Sequence, residues 1–255
     1  MFLLNLPTVM SMVIVILAST LFSIALHFIV HPFWSRETTE DTKKTADNVA
    51  MRIGVVYAVV IGMMLANVRV EHVQMVQAIE SEASALVRLY NSIGRKPEPG
   101  NEEIRKNILE YVQFIVNEQW PALRAARAQP RNRNLGGRIQ LDAIWHYVGQ
   151  VEPHTGGGDL SALVDELEHY RALRLFDTKG NLLPIFWFIA LFGYVASLLP
   201  LYVYAPNLRR CTLIALYSGV MSIVLLGIFI LSHPYSAAAG VEPDIFRRLL
   251  AAAPN

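Results

Sequence analysis

The chain has one cysteine, Cys211, and almost no net charge. A single cysteine excludes a disulfide within the chain and leaves the redox compartment open. A formal net charge of +1 over 255 residues offers no electrostatic ground for binding nucleic acid or a strongly acidic partner. Residues 69–183 show no strand-like alternation and no internal repeat, so we expect helices there.

Motifs that carry catalysis or hold a cofactor are also missing, and we predict a protein that is not an enzyme and holds no cofactor or metal. No Ser, His and Asp stand in a recognisable nucleophile context. The best metal candidate is Glu166 with His169, one helical turn apart. A carboxylate-bridged bundle needs a second Glu-x-x-His helix, which this sequence lacks. An ordinary solvated helix face accounts for the pair.

What the sequence does have is four apolar runs without Asp, Glu, Lys or Arg. They cover Pro7–Val30, Ile53–Val68, Pro184–Tyr204 and Thr212–Ser232. Because a helix needs roughly 20 apolar residues to cross a bilayer, with about 17 the lower limit, three runs qualify outright and the second is marginal. The sequence therefore predicts an all-α, polytopic membrane protein with four transmembrane helices in a 2+2 arrangement.

We divide the chain accordingly. Transmembrane helices 1 and 2 with their loop take residues 1–68, a helical extramembrane insert takes 69–183, transmembrane helices 3 and 4 take 184–232, and a tail takes 233–255. The tail sets apolar residues beside Arg247 and Arg248, which is typical of a short amphipathic helix. Such a helix would either lie in the membrane interface or pack against the insert, and the sequence is compatible with both.

The insert begins with a helical stripe. Apolar side chains recur at alternating steps of three and four residues, a spacing that seams helices together. The stripe consists of Val76, Ile79, Ala83, Leu86 and Tyr90. Gly94 and Gly100 bracket its end, and a second helix is expected from Asn101, with Glu102 in its first turn.

The second apolar run has a face of its own. Val56, Val60, Met63 and Asn67 follow one another at steps of four, three and four, so they share one side of a helix. Gly54 and Gly62 lie in the same run, and small residues favour close helix packing. An apolar face ending in an amide is also typical of a hydrophobic pore constriction. Both interpretations stay open.

His27 is the only imidazole inside an apolar run. An ionisable group within a membrane span is a functional hypothesis by default. Because His27 lies near the end of its run, a neutral imidazole hydrogen-bonded at the membrane interface is the competing interpretation.

Several blocks of this sequence resemble one known family. They are Asn48–Tyr90 with Glu80 and Glu82, Glu118–Leu123, Ala172–Leu175, Pro184 with Trp187, and Pro234–Ser236 with Pro243 and Phe246. Together they resemble the bacterial bestrophin-like membrane proteins, a family with a distant likeness to bestrophin ion channels. Members usually carry Asp-Arg-Pro-Phe-Ser near the end, whereas this chain has Ser232-His-Pro-Tyr-Ser236.

The resemblance implies a homo-oligomer, with a pentamer as the ring known for bestrophins, that conducts a small inorganic ion across a lipid bilayer. It implies that Val56, Val60, Met63 and Asn67 line the pore. It also implies that the stripe of Val76, Ile79, Ala83, Leu86 and Tyr90 forms the seam between subunits. The second class of function is a non-conducting scaffold or sensor whose insert binds a protein partner.

We expect the plasma (inner) membrane as the location, with several spans. The side on which the insert lies stays open, because two indications conflict. Positive charges in the short loops 31–52 and 205–211 favour cytoplasmic loops and an extracytoplasmic insert. The resemblance to bestrophins implies a cytoplasmic insert.

Overall fold

The computed structural model describes residues 8–34, 39–95, 99–125, 137–155, 159–176, 182–236 and 238–252. Its α-helices are α1 (Thr8–Trp34), α2 (Glu40–Gly94), α3 (Asn101–Phe114), α4 (Trp120–Arg124), α5 (Arg138–Thr155), α6 (Asp159–Phe176), α7 (Pro184–Leu198), α8 (Leu208–Leu231) and α9 (Asp244–Ala252). A π-helical turn, Ile115–Gln119, joins α3 to α4, and a 3-10 turn, Leu199–Val203, follows α7. No strand occurs in these ranges, so the all-α prediction is confirmed.

The helix ends follow from particular residues. Gly100 has φ +87, a left-handed conformation that glycine adopts readily, and α3 begins at the next residue. Pro184 is the first residue of α7, where its missing N–H costs no hydrogen bond. Asn207 precedes α8, and its side-chain Oδ1 accepts a hydrogen bond of 2.8 Å from the Arg210 backbone N–H.

Four helical segments are long and apolar enough to cross a membrane. They are Thr8–Trp34, Glu40–Gly94, Pro184–Val203 and Leu208–Leu231. The four predicted spans are thus found, although the expected start of the first, Pro7, lies outside the described residues. The second span, marginal as an apolar run, belongs to a helix of 55 residues. The length of that helix therefore does not limit its ability to cross a membrane.

Packing divides the chain into two compact units. Unit 1 comprises residues 1–71 and 181–232, and unit 2 comprises 72–180 and 233–255. The division falls within α2. It reflects packing alone, so the assignment of unit 2 to an extramembrane insert stays a prediction.

Unit 1 is held together by α1, α7, α8 and the first part of α2. Helix α1 packs along α8 and also contacts the 3-10 turn. The core of the unit contains Tyr57, Ile61, Met64, Val68, Ala190, Tyr194, Leu198, Tyr202, Ile214 and Ile228.

Unit 2 has a separate core. Helix α3 packs against α5 and α9, and α5 packs against α6. Buried apolar side chains from the second part of α2 complete this core, with Leu86, Leu89 and Ile93 fully enclosed. Phe246 of α9 is also fully buried there, while Arg247 and Arg248 are exposed. Of the two interpretations of the tail, the structure therefore favours packing against the insert.

Candidate functional site

Three of the four residues of the predicted pore face of α2 are exposed. Val56 and Met63 are each 64% exposed, Asn67 is exposed, and Val60 is partly buried. An apolar side chain left uncovered within a membrane span contacts either lipid or another protein surface. The face is therefore available to line a pore between chains, and the lining itself stays a prediction.

A neighbouring face of the same helix, about 100° around its axis, is covered within unit 1. Tyr57, Ile61, Met64 and Val68 are all buried, and the Tyr57 hydroxyl donates a hydrogen bond of 2.9 Å to the Ala190 carbonyl on α7. The Tyr57 ring lies against Gly193, where a Cβ atom would come within 2.4 Å of its Cδ2. A glycine is needed at this position because the ring takes the space of any side chain.

Gly54 and Gly62 differ from Gly193. An added Cβ would meet no atom within 4 Å at either position. Among the described residues, Gly54 and Gly62 therefore make no close helix contact.

The predicted subunit seam is largely covered by the chain itself. Ile79, Ala83 and Leu86 are buried in the core of unit 2, and Val76 and Tyr90 are partly buried against it. The spacing of this stripe correctly indicated a packed helix face. Its proposed contact with other subunits remains a prediction, with Val76 and Tyr90 the members that retain exposed surface.

A cluster of hydroxyl groups lies inside unit 1. The Ser23 Oγ atom is 2.8 Å from the Tyr194 hydroxyl and 2.9 Å from the Ser218 Oγ, and the latter two atoms are 2.5 Å apart. The Tyr202 hydroxyl donates to the Ser23 carbonyl at 3.0 Å. These bonds join α1, α7 and α8 in the apolar part of the molecule, where polar side chains serve to hold helices together.

His27 is fully buried one turn beyond Ser23 on α1. Its Nε2 lies 2.9 Å from the Tyr204 carbonyl oxygen, and its ring stacks on Tyr202 with centroids 5.0 Å apart. The interpretation as a hydrogen-bonded imidazole near the span end agrees with this contact. The Nδ1 atom, in contrast, has no partner among the described residues.

Unit 2 contains a buried ion pair. Glu82 of α2 and Arg174 of α6 are both fully enclosed, and the Arg174 Nε and Nη2 donate to the two Glu82 carboxylate oxygens at 2.5 and 3.0 Å. The Tyr111 hydroxyl donates to Glu82 Oε1 at 2.8 Å. A bidentate, charge-assisted pair with a third donor is the arrangement that offsets the cost of removing both charges from water.

The pKa values of these groups follow from their surroundings. Burial alone lowers the pKa of Arg174, but the Glu82 carboxylate more than reverses this and leaves the pKa above its ordinary value. Burial, followed by the adjacent Glu82 charge, raises the pKa of Tyr111. Arg174 therefore stays charged and Tyr111 stays a neutral donor.

The C-terminal tail contacts the same ion pair. The Tyr235 hydroxyl donates to the Arg174 carbonyl at 2.8 Å, and the Arg174 guanidinium lies 5.9 Å from the centre of the Phe246 ring. Trp120, directly after the π-helical turn, packs edge-on against Tyr235 and Phe246. One cluster thus joins α2, α3, α4, α6 and the tail.

Glu82 and Arg174 both lie in the blocks that resemble the family, but their positions in the sequence do not reveal that they pair. Glu82 occupies an apolar stripe between Ile79 and Leu86, and Arg174 follows Val164 and Leu167 along the buried side of α6. A charged residue on an otherwise apolar helix face signals a buried partner of opposite charge. That signal was present for both residues.

No group of three or more His, Cys, Asp or Glu residues suited to a metal ion occurs in the described ranges. Glu166, one half of the Glu166 and His169 candidate, forms an ion pair of 2.6 Å with Arg88, and both side chains are partly exposed. An ordinary ion pair on the helix surface accounts for this carboxylate.

Nearly the whole chain matches one known family. The model of the Bestrophin-like domain aligns with residues 17–246. The chain belongs to the bestrophin-like family. With four candidate spans, it is a membrane protein of that family, as the resemblance implied. No curated protein and no solved structure matches this bestrophin-like chain.

Proposed function

We propose that this bestrophin-like protein is an oligomeric ion channel of the plasma membrane. In this proposal two spans precede the insert in the sequence and two follow it. Helix α2 of each chain lines a central pore with Val56, Val60, Met63 and Asn67. The conducted species is a small inorganic ion, and the protein has no enzymatic activity.

One observation carries the proposal. Helix α2 covers one apolar side within its own unit and leaves the other, including Val56 and Met63, uncovered. Arranged around an axis, several copies would turn that uncovered side toward a shared channel. Its aliphatic and thioether side chains, ending at the Asn67 amide, suit a constriction that gates by excluding water.

The competing function is a non-conducting scaffold or sensor, in which unit 2 binds a protein partner and the spans anchor it. The uncovered side of α2 would then contact lipid. Family membership is compatible with this alternative, and the substitution below separates it from the channel.

Replacing Met63 with tryptophan is expected to lower ion flux about tenfold or more, because the indole narrows an apolar constriction. The measurement is ion flux into liposomes that contain the purified protein. Val55→Trp is the matched control, since Val55 is 62% exposed on the same helix but lies about 100° around it from Val56. Equal flux in both variants and the wild type would contradict pore lining by Met63.

Assembly is tested by native mass spectrometry of the protein in nanodiscs. A ring of three or more chains, a pentamer above all, agrees with the proposal. A monomer or a simple dimer leaves α2 no axis to line and favours the scaffold or sensor. Flux that is absent from a well-assembled ring would also favour that alternative.

A further inference from the structure

Backbone carbonyls determine which ring nitrogen carries the hydrogen in two histidines near the end of α1. His27 Nε2 lies 2.9 Å from the Tyr204 carbonyl oxygen, and His31 Nδ1 lies 3.2 Å from the Tyr202 carbonyl oxygen. A carbonyl oxygen only accepts hydrogen bonds, so each of these nitrogens carries a hydrogen. A neutral imidazole has one N–H, and its other nitrogen is then a free lone pair.

The free lone pairs are therefore on His27 Nδ1 and His31 Nε2. His27 is fully buried, and its Nδ1 has no hydrogen-bond partner in the described part of the chain. The Nδ1 lone pair is thus enclosed and not solvated.

The two rings are close enough to share one ion. His27 and His31 are four residues apart on one helix face, and their ring centroids are 6.0 Å apart with nearly perpendicular planes. Because metal–imidazole bonds are about 2.0–2.1 Å long, two imidazoles on one ion place their centroids about 5.2 Å apart at a tetrahedral angle and about 6.4 Å apart on a linear, two-coordinate ion. The observed separation lies within this range.

The carbonyl contacts match the usual support of a metal ligand. A histidine that binds a metal almost always donates its other N–H to a carbonyl, carboxylate or water, which fixes the tautomer and the ring orientation. Both histidines have this partner, and Tyr202 also stacks on His27. Structural hydrogen bonding accounts for one nitrogen of each ring, and the second nitrogen of His27 has no partner in the described part of the chain.

We propose that His27 and His31 form a two-histidine site for a single copper or zinc ion. Imidazole suits these metals, whereas Mg²⁺ and Ca²⁺ prefer oxygen ligands. The protein supplies two ligands, and water or another small ligand completes the coordination on the side of His31, which is only partly buried. This site is separate from the α2 face and does not depend on ion conduction.

The test measures metal binding to the full chain purified in detergent without a polyhistidine tag. Zn²⁺ and, under reducing conditions, Cu⁺ are titrated against a chromophoric chelator. We expect one ion per chain for at least one metal and no competition from Mg²⁺. His31→Gln should weaken that binding about tenfold or more, while His169→Gln, on a different helix, should leave it unchanged.

The proposal is wrong if the wild type binds neither ion at one per chain, or if His31→Gln binds as tightly as the wild type. Variants are compared only when they elute from size-exclusion chromatography as the wild type does. If His31→Gln does not meet that criterion, the ligands of the bound metal are identified from the X-ray absorption spectrum of the metal-loaded wild type. Two imidazole ligands support the site, and any other ligand set overturns it.

Discussion

Replacing Arg174 with methionine is expected to lower the free energy of unfolding by about 3–5 kcal/mol, the cost of breaking a buried ion pair by removing one partner. Methionine keeps most of the apolar stem but leaves the Glu82 carboxylate enclosed without its charged partner, while the Tyr111 hydroxyl still donates to it. An uncompensated buried charge is costly, and this one lies where α2, α3, α6 and the tail meet.

Urea unfolding in mild detergent, followed by tryptophan fluorescence, measures the change. Arg88→Met is the matched control, because Arg88 pairs with Glu166 at 2.6 Å but both side chains are partly exposed. Breaking that pair should change stability by about 0–1 kcal/mol. The double variant Glu82→Met with Arg174→Met should recover part of the loss, since no charge is then buried. Equal effects of Arg174→Met and Arg88→Met would contradict a structural role of the pair.

The four spans could be predicted because their signal is local. A charge-free apolar run long enough for a bilayer is visible in the sequence alone. The pairing of Glu82 with Arg174 is different, since it joins residues 92 positions apart. Sequence spacing placed Glu82 on a packed stripe, but only the folded chain shows which residue meets it.

Periodicity also identifies a helix face without saying what covers it. Two neighbouring faces of α2 are similarly apolar, one with Val56 and Met63 and one with Ile61 and Met64, yet only the second pair is buried. Lipid and protein interior are both apolar, so hydrophobicity does not distinguish the two sides. For the same reason the stripe containing Ile79 and Leu86 predicted packing correctly, while its partner is found within the same chain.

Replacing Gly193 with valine is expected to destabilise unit 1 by about 3 kcal/mol or more, at or beyond the upper end of overpacking effects. A Cβ at this position would lie 2.4 Å from Tyr57 Cδ2 and 2.7 Å from Cε2. The ring has little freedom to move, because it is buried and its hydroxyl donates to the Ala190 carbonyl on the same helix as Gly193. Helix α7 would have to shift away from α2.

The measurement is the thermal midpoint in detergent, followed by fluorescence-detected size-exclusion chromatography. Gly62→Val is the control, because an added Cβ there meets nothing within 4 Å, and its effect should be small. The double variant Tyr57→Ala with Gly193→Val should regain part of the stability lost in Gly193→Val. Removing the Tyr57 ring leaves room for the valine side chain, so the effects of the two substitutions are coupled. If Gly193→Val and Gly62→Val melt alike, α7 does not pack against Tyr57 as described. The uncovered side of α2 would then no longer be set by this contact, and the choice of Val56 and Met63 as the pore face would lose its structural support.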